Sequence, residues 1–213
     1  MIWPQRARPA SSFSPPPLIP CGSHRFAPGW AWWNNAPARC QPRSVAKFAV
    51  AAFSPLTGRF CDALSSSHFA LAGKRTGHDA LVIAGRAERP SIVLVDGHGD
   101  EPPRVSIEPA GDIWGRSARA AEEAIRSRFG PDWQVAAIGP AGENLVPFAS
   151  ISHDGRHAGR GGLGAVLGSK NVKALAVKGD RRAPLADPIR TVGLAKDLSV
   201  RSFGPATEKY REL

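Results

Sequence analysis

Read for alternation and periodicity, the chain first shows regular order at Val45. The run VAKFAVAAF (residues 45–53) predicts a strand, stopped by Ser54-Pro55 in the turn SPLTG. Two further apolar runs, 79–84 and 91–95, are separated by Gly85 and Pro90 and read as neighbouring buried strands. The period then changes. Ala118, Ala121, Ala124, Ile125 and Phe129 form one stripe at helical spacing, which predicts a helix over 117–128 with Ser117 as its N-cap and Gly130-Pro131 as its stop. Residues 134–138 and 145–151 predict strands around the turn Gly139-Pro140-Ala141-Gly142. A Gly-rich segment (159–168), a strand (173–178) and a helix from Asp187 onward complete the reading. Strands fall in blocks rather than in strict alternation with helices, so the predicted class is α+β, with a β-sheet-rich domain.

The first 44 residues behave differently. They hold nine prolines and four of the six tryptophans, with no period of 2 or 3.6, and are predicted to be a disordered Pro-rich segment. They also carry Arg6, Arg8, Arg25, Arg39 and Arg43 with no Asp or Glu, so half of the +10 net charge sits there. From Val45 onward 23 basic residues face 18 acidic ones, and no basic stripe with aromatic interleaving appears; nucleic acid is excluded as a partner on that ground. Cys21, Cys40 and Cys61 match no C-x-x-C spacing for zinc or an iron–sulfur cluster and read as unpaired thiols of a reducing compartment. No apolar run is long enough to span a bilayer, and Pro15, Pro16, Pro17 and Pro20 break any signal-peptide core, so no membrane association is predicted and the expected location is cytoplasmic.

The segment with most chemistry is RHAGRGGLGAVLGSKNVK (residues 156–173). Its glycines beside Arg160 and Lys170 allow close backbone approach with N–H groups turned toward an anion, and a helix starting over 163–167 adds its positive end. A Walker A loop is excluded because Gly168-Ser169-Lys170 reverses the required order, and a dinucleotide fingerprint because Gly162, Gly164 and Gly168 are spaced one residue too far. His68, His78, His98, His153 and His157 lack ligand spacing and are read as exposed or turn histidines. Glu143 is read as satisfying backbone donors in its turn or as lying near a cofactor, and Arg119, Glu122, Glu123 and Arg126 as a solvated helix face.

Four segments in order, SPLTG (54–58), GHDALVIAGRAERP (77–90), IGPAGENLVPFASI (138–151) and GRGGLGAVLGSKNVKALAVKG (159–179), together with Trp114-Gly115 ahead of a helix, resemble the aldehyde ferredoxin oxidoreductase family. The resemblance implies an N-terminal domain that forms a β-sheet base for a tungsten- or molybdenum-bis-pterin cofactor. It implies oxidation of aldehydes to carboxylic acids, with electrons passing through a [4Fe-4S] cluster to ferredoxin. Lys47, Arg160, Gly161, Gly162 and Lys170 fall at cofactor-facing positions, with a backbone carbonyl near Gly161 as a magnesium ligand. Lys47 stands where the family has Arg, keeping charge but losing the planar fork. Leu64 stands where the family has Asn, and an alkyl group cannot bind a hard cation, which puts magnesium in doubt. Catalytic residues are expected outside this chain, as are the cluster's cysteines. The expected organisation is an irregular segment (1–44), a pterin-binding domain (45–185) and the start of a truncated helical domain (186–213). Such a chain is expected to be inactive without the remaining domains or a companion subunit; the alternative is a non-catalytic remnant that keeps the scaffold.

Overall fold

The computed structural model of the chain describes residues 30–34, 47–99, 102–181 and 187–202. The order begins β1 (Trp30–Asn34), β2 (Lys47–Phe53), β3 (Phe60–Ser66), α1 (His68–Arg75), β4 (Ala80–Ile83), β5 (Ser91–Gly97) and β6 (Arg104–Pro109). It continues with α2 (Ala118–Phe129), β7 (Gln134–Ala137), α3 (Pro140–Glu143), β8 (Ile151–His153) and β9 (Arg156–Ala158). Last come α4 (Leu163–Ser169), β10 (Val172–Gly179) and α5 (Pro188–Ser202).

Two sheets result. One is antiparallel throughout, in the order β3-β2-β1-β4; the other runs β6-β5-β10-β7-β8-β9, with β5 and β10 its one parallel pair among the described strands. β10 is buried from Val172 to Val177, as a central strand covered on both faces should be. Its alternate residues serve two cores. Leu175 and Val177 join Phe48, Val50, Phe69, Ile138, Ile151, Leu163 and Leu167 between the sheets, with α1 and α4. Ala174 and Ala176 join Ile92, Leu94, Ile125, Trp133 and Val135 under α2.

The helix expected over 117–128 is α2, and Ser117 caps it: its Oγ accepts from the Ala120 N–H at 3.2 Å. Ser117→Ala should therefore lower the unfolding free energy by about 1 kcal/mol, read as a shift in urea midpoint with an unchanged slope. The α+β class and sheet-rich domain stand as read. α5 begins one residue after Asp187, whose carboxylate accepts from the Arg190 N–H at 2.9 Å. Among the described residues no helix is long and apolar enough to cross a membrane.

Several expectations are corrected. Trp30–Asn34, inside the segment read as irregular, is strand β1, inserted between β2 and β4 by pairing on both sides; residues 1–29 and 35–44 lie outside the described residues. The strand expected over 145–151 shrinks to Ile151–His153. Leu145 is in the left-handed region (φ 57°), Pro147 has no N–H to give a ladder, and Phe148 is exposed, so the run is a loop following α3. His153 is fully buried on β8 rather than exposed. Glu122 is also buried, accepting from the Asp154 N–H at 3.1 Å, and burial pushes its carboxyl pKa up.

Candidate functional site

The β2–β3 hairpin presents one face to the core and one outward. Phe48, Val50 and Ala52 point in, while Lys47 and Phe53 are exposed, with half-buried Ala49 and Ala51 between them. On β3 the outward row is Phe60, Asp62 and Leu64. Register sets these side by side: Lys47 opposite Ser66, Ala49 opposite Leu64, Ala51 opposite Asp62 and Phe53 opposite Phe60. The β2 half of the face is thus low, built on alanines, while Asp62 and Leu64 stand out on the β3 half. One end carries the Phe53–Phe60 edge-to-face pair, with centroids 5.8 Å apart.

At that end three loops meet. Ser54 is buried and its Oγ accepts from the N–H groups of Leu56 (3.1 Å) and Thr57 (3.2 Å), which closes the SPLTG turn. Gly161 and Gly162, at φ 69° and 67°, lie against it in the left-handed region. A Cβ on Gly161 would meet Cys61 Sγ at 2.1 Å; one on Gly162 would meet the Pro147 carbonyl oxygen at 1.8 Å. Only glycine fits either position. Exposed Arg160 enters this turn and α4 leaves it. Exposed Leu56 and Phe148 belong to two of these loops, and exposed Phe60 opens β3 beside them.

At the opposite end an open pocket of about 400 Å³ is lined by Lys47, Leu64, Ser65, Ser66, Gly155, Arg156 and His157. The β8–β9 hairpin brings in the last three. Its loop, Asp154-Gly155, has positive φ at both residues (44° and 70°), the turn whose twist matches a tight antiparallel pair. His157 Nδ1 shares a 2.7 Å hydrogen bond with Ser152 Oγ, and Ser65 Oγ shares one of 2.9 Å with buried His153 Nε2. Among the described residues, Lys47, Arg156 and Arg160 form no ion pair. From Lys47 to Ala52, the partner of Cys61, is five residues along β2, or about 17 Å at strand rise. The hairpin therefore has a cationic group near each end, Lys47 on its outward face and Arg160 in the loop beside Cys61.

The sequence-derived candidates are not all brought together. Arg160, Gly161 and Gly162 share one turn, and Lys47 marks the far end of the face. Lys170 is the C-cap at the other end of α4, buried, with Nζ donating to the Gly85 carbonyl at 3.0 Å. Arg156 is not among the sequence-derived candidates, and His157 is read there only as an exposed or turn histidine. The Asp-Gly pair ahead of them was the available signal, since it turns the chain back beside β3.

The family model described as "Aldehyde ferredoxin oxidoreductase, N-terminal domain" matches residues 26–179. The chain belongs to the aldehyde ferredoxin oxidoreductase family. Among curated relatives, the tungsten-containing aldehyde ferredoxin oxidoreductase of Pyrococcus furiosus is 46% identical over 143 residues, 66% of this chain and 23% of that protein. The Thermococcus kodakarensis protein of the same name is 40% identical over 174 residues, 80% of this chain and 27% of that one. An aliphatic sulfonate oxidoreductase, WOR-like subunit, of P. furiosus is 32% identical over 152 residues, 65% of this chain and 24% of that subunit. Among solved structures, the active-site complex BamBC of benzoyl coenzyme A reductase superposes with a TM-score of 0.72 at 28% identity, covering 80% of this chain and 26% of that one. The chain thus spans about a quarter of the length of these curated relatives.

Proposed function

We propose that this chain supplies the sheet face on which a tungsten- or molybdenum-bis-pterin cofactor lies, within an oxidoreductase that turns aldehydes into carboxylic acids. The observation that carries the reading is the outward β2–β3 face, with Ala49 and Ala51 and with Lys47 at one end, flanked by exposed Arg156 and Arg160 in the loops at the two ends of the hairpin, none of the three ion-paired among the described residues. A flat ligand that carries phosphates needs a low surface and cations whose charge is not already spent. Arg160 would bind an anionic group beside the Gly161–Gly162 turn, whose glycines let the backbone pack tightly on Cys61 and Pro147. Lys47, Ser66 and Arg156 would hold the other end. Bound there, the metal centre would supply the two-electron oxidation, and a [4Fe-4S] cluster held outside this chain and then ferredoxin would take up the electrons. Lys170 is left out of the cofactor face, because its ammonium is engaged at Gly85.

Two expected groups fit these residues poorly. Leu64 stands outward on β3 with an alkyl group where an oxygen ligand is needed, so magnesium is left out of the reading. Cys61 is the one described cysteine, and the described residues contain no grouping of three or more His, Cys, Asp or Glu that could hold a metal ion. The cluster would be held by the remaining domains or a companion subunit, for which residues 45–185 would act as the pterin-binding domain and 186–213 as the start of the next.

The test is pterin and metal content of the full chain, made in a host that synthesises the tungsten or molybdenum cofactor, with and without the companion polypeptide. Near-stoichiometric pterin is the expected result in the co-expressed sample. Arg160→Ala and Arg156→Ala should each reduce retained pterin about tenfold, the loss that follows from one charge-assisted hydrogen bond. A folded protein without pterin in either sample would leave only the scaffold reading, which the Leu64 position favours.

A further inference from the structure

Away from the outward face, one charged pair is sealed in the interior. Lys173 and Glu143 are 0% and 4% exposed at their side chains. Lys173 Nζ donates to Glu143 Oε1 and, at 2.7 Å, to the Arg116 carbonyl. The other carboxylate oxygen of Glu143 accepts from the Gly115 N–H at 2.8 Å. Lys173 occupies a register irregularity in β10, where Val172 pairs with Ser91 and Ala174 with Ile92. Such a bulge turns a side chain out of the ordinary alternation, and here Lys173 meets the last residue of α3. The pair thereby joins the turn ahead of α2, the end of α3 and the start of β10.

α3 in turn sets α4. A Cβ on Gly168 would meet the Gly142 carbonyl oxygen at 2.0 Å, and one on Gly142 would meet the Gly164 carbonyl oxygen at 2.9 Å, so the two helices touch backbone to backbone. The Gly164 N–H is also bonded to the Ala149 carbonyl at 2.9 Å. With no side chain between them to yield, a movement of α3 is passed to α4, whose first residue follows Gly162 directly. An apolar pair of equal volume would fill the space with less desolvation, but without direction; three directed hydrogen bonds select one placement.

We propose that Glu143 and Lys173 are positioning residues for the Gly161–Gly162 turn, fixing α3 and through it the entry of α4. This rests on the reading of that turn as cofactor-facing. The pair itself touches neither the turn nor the outward face.

The test uses the full chain labelled with ¹⁵N. Glu143→Gln keeps the shape and removes the charge; Glu143→Leu with Lys173→Met replaces the pair by an apolar one. Ile125→Val, in the separate core under α2, is the control for simple loss of stability. The expected result is that both pair variants shift or broaden the Gly161 and Gly162 amide resonances and weaken binding of inorganic pyrophosphate about tenfold. The control should lower the thermal midpoint and leave those resonances in place. Unmoved Gly161 and Gly162 resonances in Glu143→Gln, or in a folded double variant, would overturn the proposal and reduce the pair to a structural tie. If the double variant does not fold, Glu143→Gln alone decides. A parent chain that binds no pyrophosphate while the pair variants still move the turn would sink the cofactor reading of the turn and keep the coupling between pair and turn.

Discussion

Gly162→Ala should lower the unfolding free energy by about 3–4 kcal/mol, a large fraction of what a domain of this size has. Two terms add. An alanine held in the left-handed region costs roughly 1–2 kcal/mol by itself. The new methyl would also stand 1.8 Å from the Pro147 carbonyl oxygen, a backbone atom that moves only if the 145–148 loop or the start of α4 moves with it. Gly155 is the matched comparison. Its φ is 70°, nearly the same, yet a Cβ there meets nothing within 4 Å. Gly155→Ala should therefore cost only about 1 kcal/mol, the conformational term alone. Urea unfolding of the two variants beside the parent, followed by far-UV circular dichroism, gives both numbers. Equal costs would mean that the contact at Pro147 relaxes freely and that the junction of the three loops is soft.

What the sequence disclosed follows from what each element depends on. α2 and β10 were legible because their own periodicity and apolar runs specify them, and the SPLTG turn because Ser54 closes it locally. β1 was hidden because a strand paired on both sides takes its place from its neighbours, and nothing in Trp30–Asn34 alternates by itself. The false strand over 145–151 arose from counting apolar residues without weighing Pro147 and the left-handed Leu145. Lys170 and Lys173 illustrate a harder limit. Lys170 reads as cofactor-facing and Lys173 only as the first residue of a strand, yet each is buried against partners 85 and 30 residues away. Only tertiary pairing decides whether a lysine near glycines serves an anion or a carbonyl. The same holds for Arg156, which gains its place at the far end of the outward face by the turn of a hairpin.

His153 gives the second large effect, and its sign is set by burial. The ring is 0% exposed, packed edge-on against Phe48 at a centroid distance of 4.8 Å, with Nε2 on Ser65 and Nδ1 without a partner among the described residues. Loss of solvation pushes its pKa down from 6.5 to about 4; Asp154 opposes this, and His157 and Arg156 add to it. The folded state therefore holds the neutral ring where the unfolded chain binds a proton. Stability is level above the unfolded value near 6.5 and falls as pH drops toward 4, because protons then favour the unfolded chain. The gap corresponds to about 3 kcal/mol, most of it lost between pH 7 and pH 4.5. Other groups titrate nearby. Glu122, raised by burial, acts in the opposite sense, and His78, lowered by burial, in the same sense. Subtracting the curve of His153→Gln removes both. The variant keeps an amide able to reach Ser65 but cannot gain a proton, so the stability difference between parent and variant should change by about 2–3 kcal/mol over that range, in favour of the variant at low pH. Parallel curves would mean that the ring takes up its proton in the folded state without penalty, which would require water or a rotated Ser65 beside Nδ1. The outcome bears on the site directly, because Ser65, whose hydroxyl shares a hydrogen bond with this ring, lines the pocket with Lys47 and Arg156.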